Sequence, residues 1–180
     1  KKLQYDFWIT RTKERVSKCK QMLNISEDKD IVINGIKIPA KFTVDYMLDK
    51  VQEYDEWKTS AWTNWHGDFT LENIIKDVND KLYLIDCRQG YMDNLKYGDK
   101  IYDFAKMNMN LSFNFTSIYN NLYNIISNCD NTNIHVDILL NSEAIKCKEI
   151  MKKFVEEKHN ISYNYIEVLS GVIFLDLCSL

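Results

Sequence analysis

Apolar side chains recur every three or four positions along much of this chain, with charged residues between them. That period predicts amphipathic helices over residues 3–23 and from residue 43 onward, with Thr43 as the N-cap of the second. Only one proline and five glycines interrupt the chain, which also favours long helices. Further helices are predicted at about 100–111, 117–128, 142–158 and 162–178.

Two regions show strand character instead. Residues 31–38 are rich in isoleucine around an Asn-Gly pair, which predicts two short extended segments joined by a tight turn. Residues 73–78 and 81–85 are apolar and β-branched, and Asn79-Asp80 separates them, which predicts a β-hairpin. The pattern as a whole predicts a mainly α fold with a small β-hairpin, in the α+β class.

The composition narrows the kind of protein. The 180 residues suit a single domain over 1–180, and 23 Lys and Arg nearly balance 26 Asp and Glu, a net charge of −3. That balance argues against nucleic-acid binding, which favours a basic face. No stretch approaches the roughly 18 apolar residues of a membrane span, no apolar signal region opens the chain, and the five cysteines lack C-x-x-C spacing. We therefore expect a cytoplasmic protein without nucleic-acid or membrane partners.

The residues with the clearest chemical meaning lie around the predicted hairpin. Asp68 follows His66 by two positions, Asn73 follows five positions later, and Asp86 comes directly after the second apolar run. Antiparallel pairing should bring Asn73 and Asp86 together, with Asp68 just upstream. Phosphoryl transfer requires a carboxylate that orients the acceptor hydroxyl and oxygen ligands for Mg²⁺, and these side chains could supply both. Each of them alone would suit a turn or a helix cap equally well.

Together these residues resemble a known family. The motif H-x-D-x4-N at 66–73, the run Leu-Ile-Asp ending at Asp86, and the motif G-D-x3-D at 98–103 resemble the catalytic core of the aminoglycoside phosphotransferase and choline kinase superfamily. These are small-molecule kinases with the protein-kinase-like fold. The resemblance covers about residues 62–107. Within it, residues 85–88 and 97–106 look closest to the branch found in bacterial surface-polysaccharide gene clusters.

The resemblance implies a role for each reactive side chain. Asp68 would be the catalytic base, or the group that orients the acceptor hydroxyl. Asn73 and Asp86 would bind the cofactor as Mg²⁺ ligands, with Asp86 in the position of the metal-binding Asp of the kinase D-F-G element. Arg88 would either lie near the phosphates or form a salt bridge that braces a loop.

The resemblance also implies three supporting residues. His66 would belong to the catalytic loop and brace it without taking part in the chemistry. Asp103 would support the same loop through hydrogen bonds to its backbone. Asp99 would cap the helix that begins near Lys100.

The family also has an N-terminal lobe with a β-sheet, a phosphate-covering loop and a nucleotide-contacting lysine. The 65 residues before His66 show mostly helical patterns and no glycine-rich loop. We therefore expect the C-terminal lobe alone, a fragment of a longer protein whose N-terminal lobe is absent here. The implied function is Mg²⁺-dependent transfer of the terminal phosphoryl group of ATP or GTP to a hydroxyl of a small molecule, a sugar or an amino alcohol. The alternative is a non-catalytic kinase-like lobe that serves as a binding or scaffolding module.

Overall fold

The structure is a computed structural model, and it describes residues 2–25, 27–59, 62–88, 97–113, 115–139 and 142–178. It has mixed α+β architecture, in agreement with the predicted class. The helices are α1 (Lys2–Tyr5), α2 (Arg11–Leu23), α3 (Val44–Lys50), α4 (Asp55–Thr59), α5 (Lys100–Ser112), α6 (Phe115–Tyr119), α7 (Ser142–His159) and α8 (Tyr163–Leu177). The strands are β1 (Ile31–Ile33), β2 (Ile36–Ile38), β3 (Trp62–Thr63), β4 (Ile74–Lys76), β5 (Leu82–Leu84), β6 (Gly98–Asp99), β7 (Tyr123–Ser127) and β8 (Asn133–Ile138).

The predicted first helix is confirmed, with one irregularity. A π-helical turn, Asp6–Thr10, joins α1 to α2. The turn lets three successive side chains, Phe7, Trp8 and Ile9, reach the core, which a regular helical face would not allow. At the far end of α2, Asn24 adopts the left-handed conformation that often terminates helices.

The core lies between α5 and α8, with α2 packed on α8 and α7 packed on α5. The helical period therefore predicted these elements correctly. Polar contacts also cross this core, because the Tyr163 hydroxyl donates to Asn108 Oδ1 at 2.5 Å and the Asn108 amide donates to Ser170 Oγ at 2.9 Å.

In the described part of the chain, no helix combines the length and the apolar character needed to cross a membrane.

A four-stranded sheet, in the order β2-β1-β8-β7, accompanies the helices. β1 and β2 form the predicted pair around Asn34 and Gly35, whose φ angles of 49° and 79° suit a two-residue hairpin turn. β8 pairs in parallel with β1 and antiparallel with β7. The sequence predicted the β1–β2 pair and the hairpin at 73–85 but not β7 and β8, so the chain contains more β-structure than predicted.

The helix predicted over 117–128 is wrong beyond Tyr119. The segment after Tyr119 turns at Asn121, which has a positive φ, and continues as strand β7. Ile125 and Ile126 are β-branched and pair with Val136 and His135 of β8, so tertiary pairing overrides the helical period. Residues 128–132, four of which are Asn, Asp or Thr, form the connecting turn.

The predicted hairpin at 73–85 is present but shorter than predicted. β4 and β5 pair in the register Ile74 to Leu84 and Lys76 to Leu82. Asp77 shapes the turn, because its side chain accepts the backbone N–H groups of Asn79 and Lys81 at 2.8 and 2.9 Å. The turn is therefore longer than the two residues predicted.

Candidate active site

The loop at residues 66–73 is held in place by α5. Asp103 accepts the backbone N–H of His66 at 2.6 Å through Oδ2 and that of Gly67 at 2.8 Å through Oδ1. Burial raises the pKa of the Asp103 carboxyl, although the two N–H donors act in the opposite direction. The resemblance implied this role for Asp103, whose side chain is hydrogen-bonded to the backbone of the loop.

The start of α5 is itself fixed next to this loop. Asp99 caps the helix as predicted, because its Oδ1 accepts the Ile101 N–H at 3.0 Å. Its Oδ2 accepts the Trp8 indole N–H at 3.4 Å, which connects the cap to the π-helical turn between α1 and α2. β6 pairs with β3, with Trp62 opposite Asp99, so the chain entering the loop runs alongside the start of α5.

Gly67 is a structural requirement that sequence reasoning did not identify. Its φ of +80° lies in the left-handed region, where side chains are disfavoured. A Cβ at this position would stand 2.7 Å from Cβ of Arg88 and 3.1 Å from the Trp65 ring. The loop therefore turns at a point where both conformation and space require glycine.

His66 lies within the loop, as a bracing residue should. The ring is buried against Phe69, with 5.8 Å between ring centroids, and Nδ1 accepts the Asp68 N–H at 3.3 Å. Its Nε2 is buried without a hydrogen-bond partner among the described residues. These two contacts lie within the loop, and they restrict the backbone that carries Asp68.

Asn73 is oriented by the loop that it ends. Its Nδ2 amide donates to the backbone carbonyl of Asp68 at 2.8 Å, which fixes the side chain across the turn. Because the amide NH₂ makes this bond, Oδ1 is left as the acceptor of the side chain. Asn110 of α5 supports the same turn by accepting the Leu71 N–H at 3.2 Å.

Asp86 lies on a second segment that runs antiparallel to the loop. The Ile85 N–H donates to the Asn73 carbonyl at 3.0 Å, and the Arg88 N–H donates to the His66 carbonyl at 2.8 Å. Between these two bonds Asp86 has a φ of 55°, an uncommon conformation for a residue other than glycine. The predicted proximity of Asn73 and Asp86 is therefore confirmed at the level of the backbone, and the Asp86 residue is exposed to solvent.

Lys106 of α5 is a site residue that sequence reasoning missed. Its Nζ lies 2.8 Å from Oδ1 of Asp68, with the lysine side chain 5% exposed and the aspartate side chain 25% exposed. Lys106 follows Asp103 by one helical turn, so both face the loop. This spacing was visible in the sequence and was the available signal.

Arg88 lies two positions after Asp86 on the same segment. The residue is exposed, and within the described ranges no carboxylate forms a salt bridge with its guanidinium. The loop-bracing salt bridge that the sequence left open is thus not seen there, and the bracing comes from the backbone N–H. Burial raises the pKa of Tyr102, and the positive charge of Arg88 acts in the opposite direction.

The donors of the site are oxygens. Asn73 Oδ1 and the Asp86 carboxylate are oxygen donors of the kind that Mg²⁺ prefers, and this ion usually takes only one or two protein ligands because it keeps several waters. In the part of the chain that the structure describes, no three His, Cys, Asp or Glu side chains are grouped to hold a metal. A Mg²⁺ ion here would therefore depend on these two residues together with phosphate oxygens and water.

Comparisons with known proteins identify no relative of this chain. Protein-family models, curated proteins and solved structures were all compared with the chain, and none of them matched.

Proposed function

We propose that this chain is the C-terminal lobe of a protein-kinase-like phosphotransferase, related to the aminoglycoside phosphotransferase and choline kinase superfamily. It would transfer the terminal phosphoryl group of ATP or GTP to a hydroxyl of a small molecule, a sugar or an amino alcohol. One observation carries the proposal. The Asn73 amide is fixed on the Asp68 carbonyl, so its Oδ1 is available beside the segment that carries Asp86.

Asp68 would act on the acceptor. Its carboxylate would orient the acceptor hydroxyl and take the proton as the oxygen forms its bond to the γ-phosphorus. The bond from that phosphorus to the β–γ bridging oxygen breaks, and its electron pair leaves with the nucleoside diphosphate. The proton then passes from Asp68 to water, so the products are a phosphate ester, a nucleoside diphosphate and a proton.

Asn73 and Asp86 would hold Mg²⁺ against the phosphates. When bound, the ion neutralises phosphate charge that otherwise resists attack. Asp86 is exposed to solvent, so its carboxylate is accessible to an ion. Arg88, exposed on the same segment, would add a positive charge near the phosphates.

The nucleotide base and the N-terminal lobe would cover the β4–β5 hairpin. Both strands of this hairpin expose large apolar side chains, which a protein surface rarely presents together unless something packs on them. These side chains are Ile75, Leu82, Tyr83, Leu84 and Ile85. They lie on the segment that carries Asp86, so a base resting there would place its phosphates towards the site. A cytoplasmic location would supply both nucleotide and Mg²⁺.

The test uses the full-length protein with Mg-ATP or Mg-GTP and a panel of sugars and amino alcohols. Release of nucleoside diphosphate is measured for wild type, Asp86→Asn and Asp80→Asn. Asp80 is the matched control, because it is also exposed, also has a positive φ, and lies on the same hairpin. Asparagine tolerates that conformation, so both variants change charge with little strain.

We expect Asp86→Asn to lower turnover by at least about 100-fold, since an anchor of a charge-neutralising ion supplies several kcal/mol. Asp80→Asn should match wild type. Equal turnover of the two variants would refute the metal assignment. Absence of both turnover and nucleotide binding in wild type would refute the kinase proposal and favour a binding or scaffolding lobe.

A further inference from the structure

We propose that Lys106 is a catalytic residue. Its ammonium group binds the phosphoryl group during transfer and stays in contact with Asp68. This inference rests on the proposed function and deepens it, because it assigns the group that stabilises negative charge on the side of the acceptor. The resemblance assigned no role to this lysine.

The burial of Lys106 is the first argument. Lysine side chains are rarely buried, because removing an ammonium from water is costly. Among the described residues, Lys106 is the only lysine or arginine that is buried. The Lys106 side chain is 5% exposed, and the Asp68 side chain that it contacts is 25% exposed. The buried ammonium is therefore next to a carboxylate that solvent can reach.

The donor capacity of Lys106 is the second argument. An ammonium carries three N–H donors, and the contact at 2.8 Å with Asp68 Oδ1 engages one of them. The proposed chemistry places the acceptor oxygen at Asp68 and the γ-phosphorus next to that oxygen. A donor that already touches Asp68 is therefore close to the equatorial oxygens of the phosphoryl group, where negative charge is spread during transfer.

The rigidity of α5 is the third argument. Asp103, one turn before Lys106, holds two backbone N–H groups of the loop. Ala105, the preceding residue, is fully buried, and its carbonyl accepts a hydrogen bond from Ser170 of α8 at 3.0 Å. The helix thus fixes the loop backbone and the ammonium relative to each other, as required of a preorganised charge.

The step itself is unchanged in its balance. The acceptor oxygen bonds to the γ-phosphorus, the bond to the β–γ bridging oxygen breaks, and the acceptor proton goes to Asp68. Lys106 keeps its own protons and donates hydrogen bonds to oxygens of the phosphoryl group. It therefore stabilises the transition state more than it stabilises the bound nucleoside diphosphate.

Binding of a transition-state mimic tests this without knowledge of the acceptor. The affinity of the full-length protein for Mg-ADP is measured with and without tetrafluoroaluminate, which mimics the planar phosphoryl group. The gain in affinity on adding tetrafluoroaluminate is compared in wild type, Lys106→Met and Lys13→Met. Lys13 is the control, since it also pairs with an aspartate, Asp49, at 2.7 Å, but at the surface.

We expect Lys106→Met to lose about 10- to 100-fold of that gain, the equivalent of one charge-assisted hydrogen bond, while its affinity for Mg-ADP is retained. Lys13→Met should behave as wild type. A full gain in folded Lys106→Met would overturn the assignment of Lys106 and leave the kinase proposal standing. An equal loss of affinity for Mg-ADP with and without the mimic would also overturn it, because a residue that only supports the loop would act in this way. Failure of wild type to bind Mg-ADP would overturn both proposals.

A second comparison covers the case in which Lys106→Met does not fold. In Asp68→Asn the ammonium has lost its charged partner, so removing Lys106 from that background leaves no carboxylate unpaired. The gain is then compared between Asp68→Asn and Asp68→Asn/Lys106→Met. The same 10- to 100-fold loss, about that of one charge-assisted hydrogen bond, is expected, and equal gains would overturn the proposal.

Discussion

Replacing Asp103 by alanine should release the loop at residues 66–73 from α5. The carboxylate accepts two backbone N–H groups at 2.6 and 2.8 Å, and both donor residues, His66 and Gly67, are buried. Alanine offers neither N–H a partner. The loop would then lose the attachment that positions Asp68, although the core beneath it stays intact.

The size of the effect follows from the two orphaned donors. A buried N–H left without an acceptor costs about 1–3 kcal/mol, so two of them cost about 2–6 kcal/mol. Part of this is recovered, because burial disfavours the charged carboxyl and alanine removes that penalty. We therefore expect Asp103→Ala to lower the free energy of unfolding by about 2–4 kcal/mol. Asp103→Asn keeps one acceptor oxygen, so we expect about half of that loss.

Two measurements test this. Denaturant unfolding, followed by the fluorescence of the four tryptophans, gives the free-energy difference, and one of these tryptophans, Trp65, packs beside Gly67. Amide hydrogen exchange reports the individual bonds, and protection should fall at His66 and Gly67 much more than in the middle of α5. Asp55→Ala, an exposed control on α4 that loses only a surface ion pair with Lys58, should lower the free energy of unfolding far less than Asp103→Ala does and leave the protection of His66 and Gly67 unchanged.

The pH dependence provides an independent check. Burial raises the pKa of Asp103 above 3.8, so the folded state holds this proton more tightly than the unfolded state does. The stability due to this linkage is full below pH 3.8 and is lost as the pH rises through the raised pKa. The destabilisation by Asp103→Asn should therefore be larger in acid than at neutral pH. Free energies of unfolding equal to that of wild type for Asp103→Ala and Asp103→Asn would refute the reasoning. So would unchanged protection of the His66 and Gly67 amides from hydrogen exchange.

Two further changes test the surroundings of the site. Gly67→Ala should destabilise the protein by about 1–3 kcal/mol, because it combines a positive φ with a Cβ only 2.7 Å from Arg88, and calorimetry that shows an unchanged unfolding temperature would contradict this. Asp176→Asn should cost about 2 kcal/mol in denaturant unfolding, since the carboxylate binds Arg11 and Arg15 at 2.9 Å and the partly exposed guanidinium groups regain some water. An effect no larger than that of Asp49→Asn at the surface pair with Lys13 would show that this pair does not stabilise α8 on α2.

The sequence predicted those parts of the site whose partners are local or follow from pairing. Asp99 caps α5 because a cap depends on the next few residues alone. Asn73 and Asp86 were predicted to meet because a hairpin fixes which residues are opposite each other. In the first case a short-range rule was enough to place the side chain, and in the second it was enough to place the backbone.

Other features depend on packing across the fold and were missed. Ile125 and Ile126 fit a helical period in the sequence, but in the fold they belong to a strand that pairs with β8. The need for glycine at position 67 depends on Trp65 and Arg88, which pack against it only in the folded chain. Lys106 was part of the motif that suggested the family, but its pairing with Asp68 depends on how α5 lies against the loop.

The parallel pairing of β1 with β8 has a consequence for the order of folding. Val32 of β1 pairs with Asn133 of β8, so 133 − 32 = 101 positions separate the two partners. A ribosome must synthesise all the residues from β1 to β8 before this sheet can close, and among the strands of this sheet β1 can pair only with β2 until then. Closing so long a loop is entropically costly and slow, so we expect these strands to be joined late. Chains halted before β8 is synthesised would leave one edge of β1 open to pairing with another molecule, so aggregation of stalled or truncated products should begin at this strand.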